Sequence, residues 1–183
     1  MVLLGPHEHH SNLLPWRESC ARCFQLPEDS SGRLDRAALA AALAQFGACG
    51  AAPAPLVVGA FCAASNVTGV VADVDGISMQ LHAAGALAVW DYAAGAAGLT
   101  VDMNPVVLSP GGGLARGAHK DAVILSPHKL PGGPGAAGVL VAKRGLFRNP
   151  VPSQPGGGTV FFVTENGHRY LSNREVRLPS PTC

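Results

Sequence analysis

Short apolar runs alternate along the chain with segments that have the period of an amphipathic helix. Most of the runs are bounded by polar residues, glycine or proline, which is typical of buried β-strands. Strand, crossover helix and strand at this spacing predict a largely parallel sheet. The predicted strands span residues 1–4, 55–61, 86–90, 122–125 and 138–142.

Two helices are predicted between these strands. The first begins after Asp35, which is suited to cap it, and carries apolar residues from Leu39 to Phe46 at helical spacing. The second spans 73–84 and has one apolar face. We therefore expect an α/β fold of three layers, in which a mostly parallel sheet has helices on both faces.

The chain changes character after residue 150. A loop rich in glycine and proline spans 150–158, and the run over 159–163 predicts an edge strand. Beyond Glu165 the sequence is polar and shows no core pattern. We predict one domain over residues 1–150 and a tail over 151–183.

Composition and charge narrow the class of protein. Hydrophobic residues make up 48% of the 183 residues and charged residues 14%, which favours a folded globular chain over a disordered one. The formal net charge is +1, so we expect neither nucleic acid nor an anionic membrane as partner.

No secretory signal is expected at the start of the chain, because a basic region followed by a long apolar region is absent there. The most apolar stretch spans 37–64, but Pro53 and Pro55 interrupt it, which argues against a transmembrane helix. We expect an intracellular protein, cytoplasmic or organellar.

Cysteine and histidine give little support for a metal site. Cys20 and Cys23 form a single CxxC with no second ligand pair, which favours reduced, structural thiols. The His-rich tract over 7–10 is a weaker metal-binding pattern, since no acidic or cysteine partner stands at ligand spacing. His82 and His119 are predicted to be surface residues.

Polar residues follow three of the predicted strands. Because the carboxyl ends of parallel strands meet at one edge of the sheet, these residues are predicted to line one pocket. The pattern alone names no ligand. The groups are Ser65 and Asn66, then Asp91, and then Ser126, His128 and Lys129.

The residue types in this pocket suit one kind of chemistry. A lysine held in a pocket can lose its proton and attack a carbonyl to form a Schiff base. A buried aspartate can pair with a protonated pyridine nitrogen. A serine and a histidine beside the lysine can hold a phosphate. Asp91, Ser126, His128 and Lys129 are residues of these types.

Several motifs stand in order along the chain: EHHSNLLPW at 8–16, ASNVTG at 64–69, WDYAA at 90–94, MNP at 103–105, LSPHKLPGGPG at 125–135 and GGGTVFF at 156–162. In order and spacing they resemble the aminotransferase class V and cysteine desulfurase family, which are pyridoxal-phosphate enzymes of fold type I. The resemblance covers most of residues 5–175. It implies that residues 1–150 are part of the cofactor-binding large domain and that 151–183 lead toward a small domain.

The resemblance also implies a role for each of six residues. Lys129 would hold pyridoxal 5′-phosphate as a Schiff base, Asp91 would pair with the pyridine nitrogen, and His9 would stack on the ring. Lys129 and His9 are thus the predicted catalytic residues. The other predicted cofactor contacts are Asn66 near the ring hydroxyl and Ser126 and His128 at the phosphate.

Two departures from the family pattern stand out. Ala94 occupies the position of the usual glutamine three residues after the aspartate, so one hydrogen bond to the ring oxygen is missing. Family members are also considerably longer, and we expect their upstream phosphate loop and downstream small domain to be absent here. None of the five cysteines stands where desulfurases carry their nucleophile.

These observations leave three hypotheses. The first is a transaminase or a cysteine desulfurase or selenocysteine lyase-like enzyme that acts on a small amino acid, weak or inactive as this fragment. Its full-length relatives are expected to be homodimers. The second is a non-catalytic product, such as a truncated or degenerate paralogue or one piece of a split chain. The third is a metal-binding module that uses His7, His9 and His10.

Overall fold

A six-stranded sheet is the centre of the computed structural model, which describes residues 1–46, 56–152 and 154–173. The chain divides after Val141 into two compact units. The helices are α1 (His10–Arg17), α2 (Arg36–Phe46) and α3 (Val74–Ala83). The strands are β1 (Val2–Leu4), β2 (Cys23–Gln25), β3 (Val58–Cys62), β4 (Leu87–Asp91), β5 (Val107–Leu108), β6 (Leu114–Ala115), β7 (Ala122–Leu125), β8 (Val139–Ala142), β9 (Val160–Thr164) and β10 (Gly167–Tyr170).

The strand order is β2-β1-β3-β4-β7-β8, and the pairings β1–β2, β1–β3, β3–β4 and β4–β7 are all parallel. The central strands are buried and almost wholly apolar, as expected for a parallel sheet that is covered on both faces. The predicted mostly parallel α/β sheet is therefore confirmed.

Helices α2 and α3 cover one face of the sheet. Phe61 of β3 pairs with Trp90 of β4, and both side chains point toward that face. Both belong to the main apolar cluster. The indole N–H of Trp90 donates to the Ser78 hydroxyl of α3 at 2.9 Å, and both side chains are fully buried. Helix α1 lies at the other face, where its Asn12 lines the same cavity as residues from β3 and β4.

Most predicted elements are observed with small shifts of their ends. Asp35 accepts hydrogen bonds from the N–H groups of Ala37 and Ala38, which confirms it as the cap of α2. The strand predicted over 55–61 is Val58–Cys62, and Pro55 itself lies outside the described residues. A short 3₁₀ turn spans Arg144–Leu146.

The second unit contains a small hairpin. The strand expected over 159–163 is β9, which pairs antiparallel with β10 in a separate two-stranded sheet. The prediction missed β10, because its residues are polar and mostly exposed and so lack a core pattern. The tail is described as far as Asn173.

Three elements of the first unit were also not predicted. Helix α1 contains Pro15 and buries a single residue, Asn12, so it has no apolar stripe that a periodicity could reveal. Strand β2 is exposed throughout. The β5–β6 hairpin has two residues in each strand, which is too short to give a pattern. Among the described residues, no helix has the length and apolarity required to cross a bilayer.

A partly buried carboxylate attaches α1 to the sheet. Glu8 accepts hydrogen bonds from the backbone N–H of Cys62 at 2.9 Å and from the side-chain amide of Asn12 at 2.7 Å. Asn12 in turn accepts one from the indole N–H of Trp16 at 3.2 Å. Burial raises the pKa of Glu8 above its usual value, and the nearby Asp91 carboxylate acts in the same direction. This network fixes the start of α1 beside the end of β3.

Replacing Gly59 with alanine is expected to destabilise the first unit. A β-carbon there would lie 2.7 Å from both Leu81 δ-carbons and 2.8 Å from the Phe61 ring, so α3 must move or core side chains must leave their rotamers. We expect Gly59→Ala to lower the free energy of unfolding by about 1–3 kcal/mol, measured by denaturant titration. Gly98→Ala is the matched control, since nothing lies within 4 Å of its added β-carbon. Equal stability of the two variants would contradict this packing.

Glu8 is expected to make stability depend on pH. Because burial raises its folded-state pKa, the folded protein retains this proton to higher pH than the unfolded chain does. The free energy of unfolding should therefore fall as pH rises from the usual value of 4.5 through the raised one. Glu8→Gln removes this titration, so its unfolding free energy should rise relative to that of the parent above pH 4.5.

The measurement is a set of denaturant titrations across acid and neutral pH. Glu165→Gln, at an exposed carboxylate of the second unit, is the matched control. The prediction is wrong if the difference in unfolding free energy between the parent and Glu8→Gln stays constant across the pH range. The pKa of Glu8 would then not be raised in the folded protein.

Candidate active site

A cavity of about 240 Å³ lies where β3, β4 and β7 end and the loop after β1 approaches them. Parallel strands that end at one edge of a sheet create such a space, because the loops after them diverge. Of the seven residues predicted from the sequence to line the site, Ser65 does not line this cavity and the other six do. These six are His9, Asn66, Asp91, Ser126, His128 and Lys129.

Strand register brings these residues together. Asp91 ends β4 and pairs with Cys62 on one side and Ile124 on the other. All three residues line the cavity. Trp90 points into the helix-covered core, so the next residue, Asp91, points away from it toward the cavity.

Asp91 is buried at the floor of the cavity. Only 9% of it is exposed, and its Oδ1 accepts a hydrogen bond from the backbone N–H of Ala93 at 2.7 Å. Within the described parts of the chain, no donor contacts Oδ2. A buried carboxylate with one uncommitted oxygen can accept a hydrogen bond from a cationic or N–H group of a ligand.

Lys129 and His128 stand on a single 3₁₀ turn, Pro127–Lys129, that directly follows β7. The backbone N–H of Lys129 donates to the carbonyl of Ser126 at 3.0 Å. Both side chains are exposed at the rim. The sequence predicted a lysine held within a pocket, whereas the cavity is open to solvent on the side of Lys129.

Glycine is required in the loop that follows the lysine. A β-carbon at Gly133 would collide with the backbone carbonyl of Pro127, so the loop packs directly on the 3₁₀ turn. Gly133 N–H donates to the Leu130 carbonyl at 2.9 Å and closes the next turn. The loop therefore supports the backbone that carries Lys129.

His9 occupies the N-cap position of α1. Its Nδ1 accepts a hydrogen bond from the backbone N–H of Ser11 at 3.2 Å, so the proton of a neutral ring is on Nε2. The ring is half-buried and lies against the ring of His10, with 3.7 Å between centroids. The residue predicted to stack on a cofactor ring thus lines the cavity and contacts its neighbouring histidine.

Asn66 lies at an exposed turn after β3. Ser65, which precedes it, is buried and accepts hydrogen bonds from the N–H groups of Val67 and Thr68 at 3.3 and 3.2 Å. Gly69 closes the turn with a φ of +73°, a conformation that glycine adopts without strain. Ser65 therefore shapes the loop, and Asn66 is the residue that lines the cavity.

Cys62 is the cavity residue that chemical reasoning on the sequence did not single out. Its position at the end of β3 was the signal that could have identified it. Burial raises the pKa of its thiol, and the Glu8 and Asp91 carboxylates raise it further. The thiol is therefore protonated at neutral pH and is a poor nucleophile.

Comparison with known proteins agrees with this architecture. Residues 1–177 match the family Aminotransferase class-V. Among curated relatives, a protein named as a probable cysteine desulfurase from Aeropyrum pernix is 35% identical over 91% of this chain and 36% of its own length. A protein with the same name from Vibrio cholerae is 28% identical over 91% of this chain and 37% of its own length.

Two solved structures of cysteine desulfurases share the fold of this chain. The apo cysteine desulfurase of Thermococcus onnurineus superposes with a TM-score of 0.73 at 25% identity, over 97% of this chain and 40% of that chain. The cysteine desulfurase CsdA of Escherichia coli superposes with a TM-score of 0.71 at 26% identity, over 98% of this chain and 41% of that chain.

This chain spans little more than a third of the length of the curated relatives that it matches. The chain is accordingly an incomplete domain of the fold that the two solved structures share. The match covers nearly the whole of this chain and includes every residue that lines the cavity. The chain belongs to the aminotransferase class V family.

Proposed function

We propose that this chain is the cofactor-binding part of a pyridoxal-phosphate enzyme that acts on a small amino acid. The observation that carries the proposal is that the amine of Lys129 and the buried carboxylate of Asp91 line one cavity at the strand ends. Within this class, the resemblance to cysteine desulfurases favours one of two enzyme types. The first is a transaminase, and the second is a lyase similar to cysteine desulfurases or selenocysteine lyases.

The donor set fits the chemical groups of pyridoxal phosphate. An amine suits its aldehyde, a buried carboxylate suits its pyridine N–H, and a hydroxyl with an imidazole suits its phosphate. Lys129, Asp91, Ser126 and His128 supply these groups around one cavity. Neither Lys129 nor His128 makes a side-chain hydrogen bond or ion pair within the described chain, so both are available to a ligand.

Asp91 would keep a proton on the pyridine nitrogen. Its burial favours this role, because a carboxylate in a low-dielectric site interacts more strongly with a nearby positive charge. The N–H of Ala93 holds one carboxylate oxygen in place and leaves the other for the ligand. When bound, the cofactor would withdraw electrons from the α-carbon of the amino acid.

Lys129 would attach the cofactor and would also move a proton at the substrate α-carbon. An alternative attachment point is disfavoured by packing. The side chain of Lys120 is only 3% exposed and its Nζ lies 2.6 Å from Asp75 Oδ1, so it is both buried and ion-paired. Lys129 is the lysine that faces the cavity.

His9, Asn66, Ser126 and His128 would position the cofactor. His9 would give up its contact with His10 to cover one face of the pyridine ring, and Asn66 would donate to the ring oxygen. Ser126 and His128 would bind the phosphate. Ala94 also lines the cavity, and its methyl group supplies no hydrogen bond to the ring oxygen.

Desulfurase chemistry requires a reactive thiolate, which Cys62 does not provide because the pKa of its thiol is raised. A persulfide-forming role is therefore not assigned to Cys62.

Two further expectations belong to this proposal. Residues 1–150 form part of a large domain and 151–183 lead to a small domain, and the complete enzyme acts as a homodimer.

One observation favours the alternative, a non-catalytic product. Lys129 is exposed at the rim, so nothing in the described chain removes water from its amine. A catalytic lysine is deprotonated more easily when it is desolvated. Weak retention of the cofactor with no turnover is the behaviour expected if this rim stays open.

Mixing the chain with pyridoxal phosphate is expected to produce visible absorbance, and borohydride is expected to fix the cofactor on Lys129. Peptide mapping by mass spectrometry identifies the modified residue. Lys129→Ala should abolish this specific labelling. Lys120→Ala is unsuitable as a control because it breaks a buried ion pair. Lys143 is not among the residues that line the cavity, so Lys143→Ala serves as the matched lysine variant and should retain the labelling.

Asp91→Asn separates attachment from chemistry. We expect it to lower turnover more than it lowers labelling of Lys129, because the carboxylate acts on the pyridine nitrogen and not on the amine. Labelling mainly at Lys143 or Lys120 would refute the assignment. Specific labelling of Lys129 without turnover on any small amino acid would support the non-catalytic alternative.

Gly133→Ala is expected to weaken cofactor retention. The added methyl group must push the Pro127 carbonyl aside, which displaces the turn that carries His128 and Lys129. We expect a loss of affinity of about tenfold, which corresponds to about 1.4 kcal/mol, measured by absorbance titration. Gly111→Ala, where the added β-carbon has nothing within 4 Å, should bind as the parent does. Unchanged affinity of Gly133→Ala for pyridoxal phosphate would show that this loop does not support the site.

A further inference from the structure

A second cluster of ligand-type residues lies at the opposite edge of the sheet. Asp121 immediately precedes β7, and its Oδ2 accepts a hydrogen bond at 2.8 Å from the backbone N–H of Ala88 near the start of β4. Ala88 and Asp91 are three steps apart along an extended strand, which is about 10 Å. The cluster is therefore separate from the cavity described above.

His82 contributes the second ligand atom. It stands in the last turn of α3, and its Nε2 lies 2.8 Å from Asp121 Oδ2. Its Nδ1 lies 2.5 Å from the carbonyl oxygen of Gly117. A carbonyl only accepts, so Nδ1 carries a hydrogen. The carboxylate of Asp121 also accepts, so Nε2 donates to Oδ2, and a bound ion would take the place of that donated hydrogen. A backbone carbonyl that orients a ring in this way is the usual second interaction of a metal-binding histidine.

His119 contributes the third ligand atom. Its Nε2 lies 3.9 Å from Asp121 Oδ1, and its ring stacks on that of His82 with 3.9 Å between centroids and 22° between planes. The three ligand atoms lie within 4.8 Å of one another. An ion must lie close to the plane of each imidazole that binds it, so one ring has to turn. The His119 side chain is 36% exposed, against 14% for His82, and has the room to do so.

We propose that His82, His119 and Asp121 bind one divalent transition-metal ion, with Zn²⁺ as the reference case. Two imidazole nitrogens and one carboxylate oxygen suit zinc and its neighbours, whereas Mg²⁺ and Ca²⁺ prefer all-oxygen sites. The C-terminal end of α3 adds a favourable negative dipole. The open side of His119 admits the ion and leaves a fourth position for water.

The ion would act as a structural cross-link. Asp121 immediately precedes β7 and His82 lies in the last turn of α3, so coordination would tie the helix end to the amino edge of the sheet. Binding to the folded state alone stabilises it by mass action. The proposed site differs from the His-rich tract over 7–10, where His7 Nε2 is hydrogen-bonded to the Gly32 carbonyl at 2.8 Å.

Competition titration with a chromophoric chelator tests the proposal under reducing conditions. We expect one Zn²⁺ per chain, a rise in melting temperature with Zn²⁺, and no effect of Mg²⁺. His119→Asn should weaken Zn²⁺ binding at least about tenfold and abolish the rise. His119 is preferred to Asp121 for this test because Asp121 also bonds the Ala88 backbone.

Two control variants address other zinc ligands. His10→Asn alters the N-terminal tract, and a Cys20→Ser, Cys23→Ser double variant removes the exposed CxxC. Both should bind Zn²⁺ as the parent does. Loss of binding in either control, retained binding in His119→Asn, or no binding by the parent would overturn the proposal.

The cobalt complex of the parent gives a readout that does not depend on the folding of any variant. Nitrogen and oxygen ligands should give visible Co²⁺ bands without the intense near-ultraviolet band of cobalt–thiolate bonds. A thiolate band would place the ion on cysteine and contradict the proposed site.

Discussion

The parallel register of β3, β4 and β7 is the constraint on which the site depends. It aligns Cys62, Asp91 and Ile124 side by side at one end of the sheet. A slip of one residue in β4 would turn Asp91 into the core and expose Trp90, because successive side chains point to opposite faces. Burial of Trp90 and its hydrogen bond to Ser78 therefore fix where Asp91 points.

The two edges of the sheet have different roles. At the carboxyl edge, polar side chains face an open cavity and several have no protein partner in the described chain. At the amino edge, polar groups are paired. Lys120 binds Asp75 in the first turn of α3, and Asp121 binds His82 in its last turn. Two adjacent residues thus bind the two ends of α3. Because Lys120 is committed to Asp75, Lys129 is the lysine that lines the cavity.

Sequence patterns predicted the parts of the fold in which burial is periodic. Strands β3, β4 and β7 and helices α2 and α3 carry apolar residues at regular spacing, while α1, β2 and β10 bury too little to show a pattern. The cavity was predictable because polar residues directly follow buried strands, and the motifs added the cofactor. The exposure of Lys129 was not predictable, because it depends on which segments cover the rim. The pairing of His82 with Asp121 joins residues 39 positions apart, and local patterns carry no information on such contacts.

Four separate segments are proposed to form a single cofactor site, and a chain of 18.6 kDa is small enough for NMR to test this. Pyridoxal phosphate would be titrated into ¹⁵N-labelled protein while backbone amide shifts are followed. If the site is shared, the backbone amides of four segments should shift together with one binding curve. These segments lie near His9, Asn66, Asp91 and Lys129. Shifts confined to the neighbourhood of Lys129, or separate curves for the four segments, would contradict a common site.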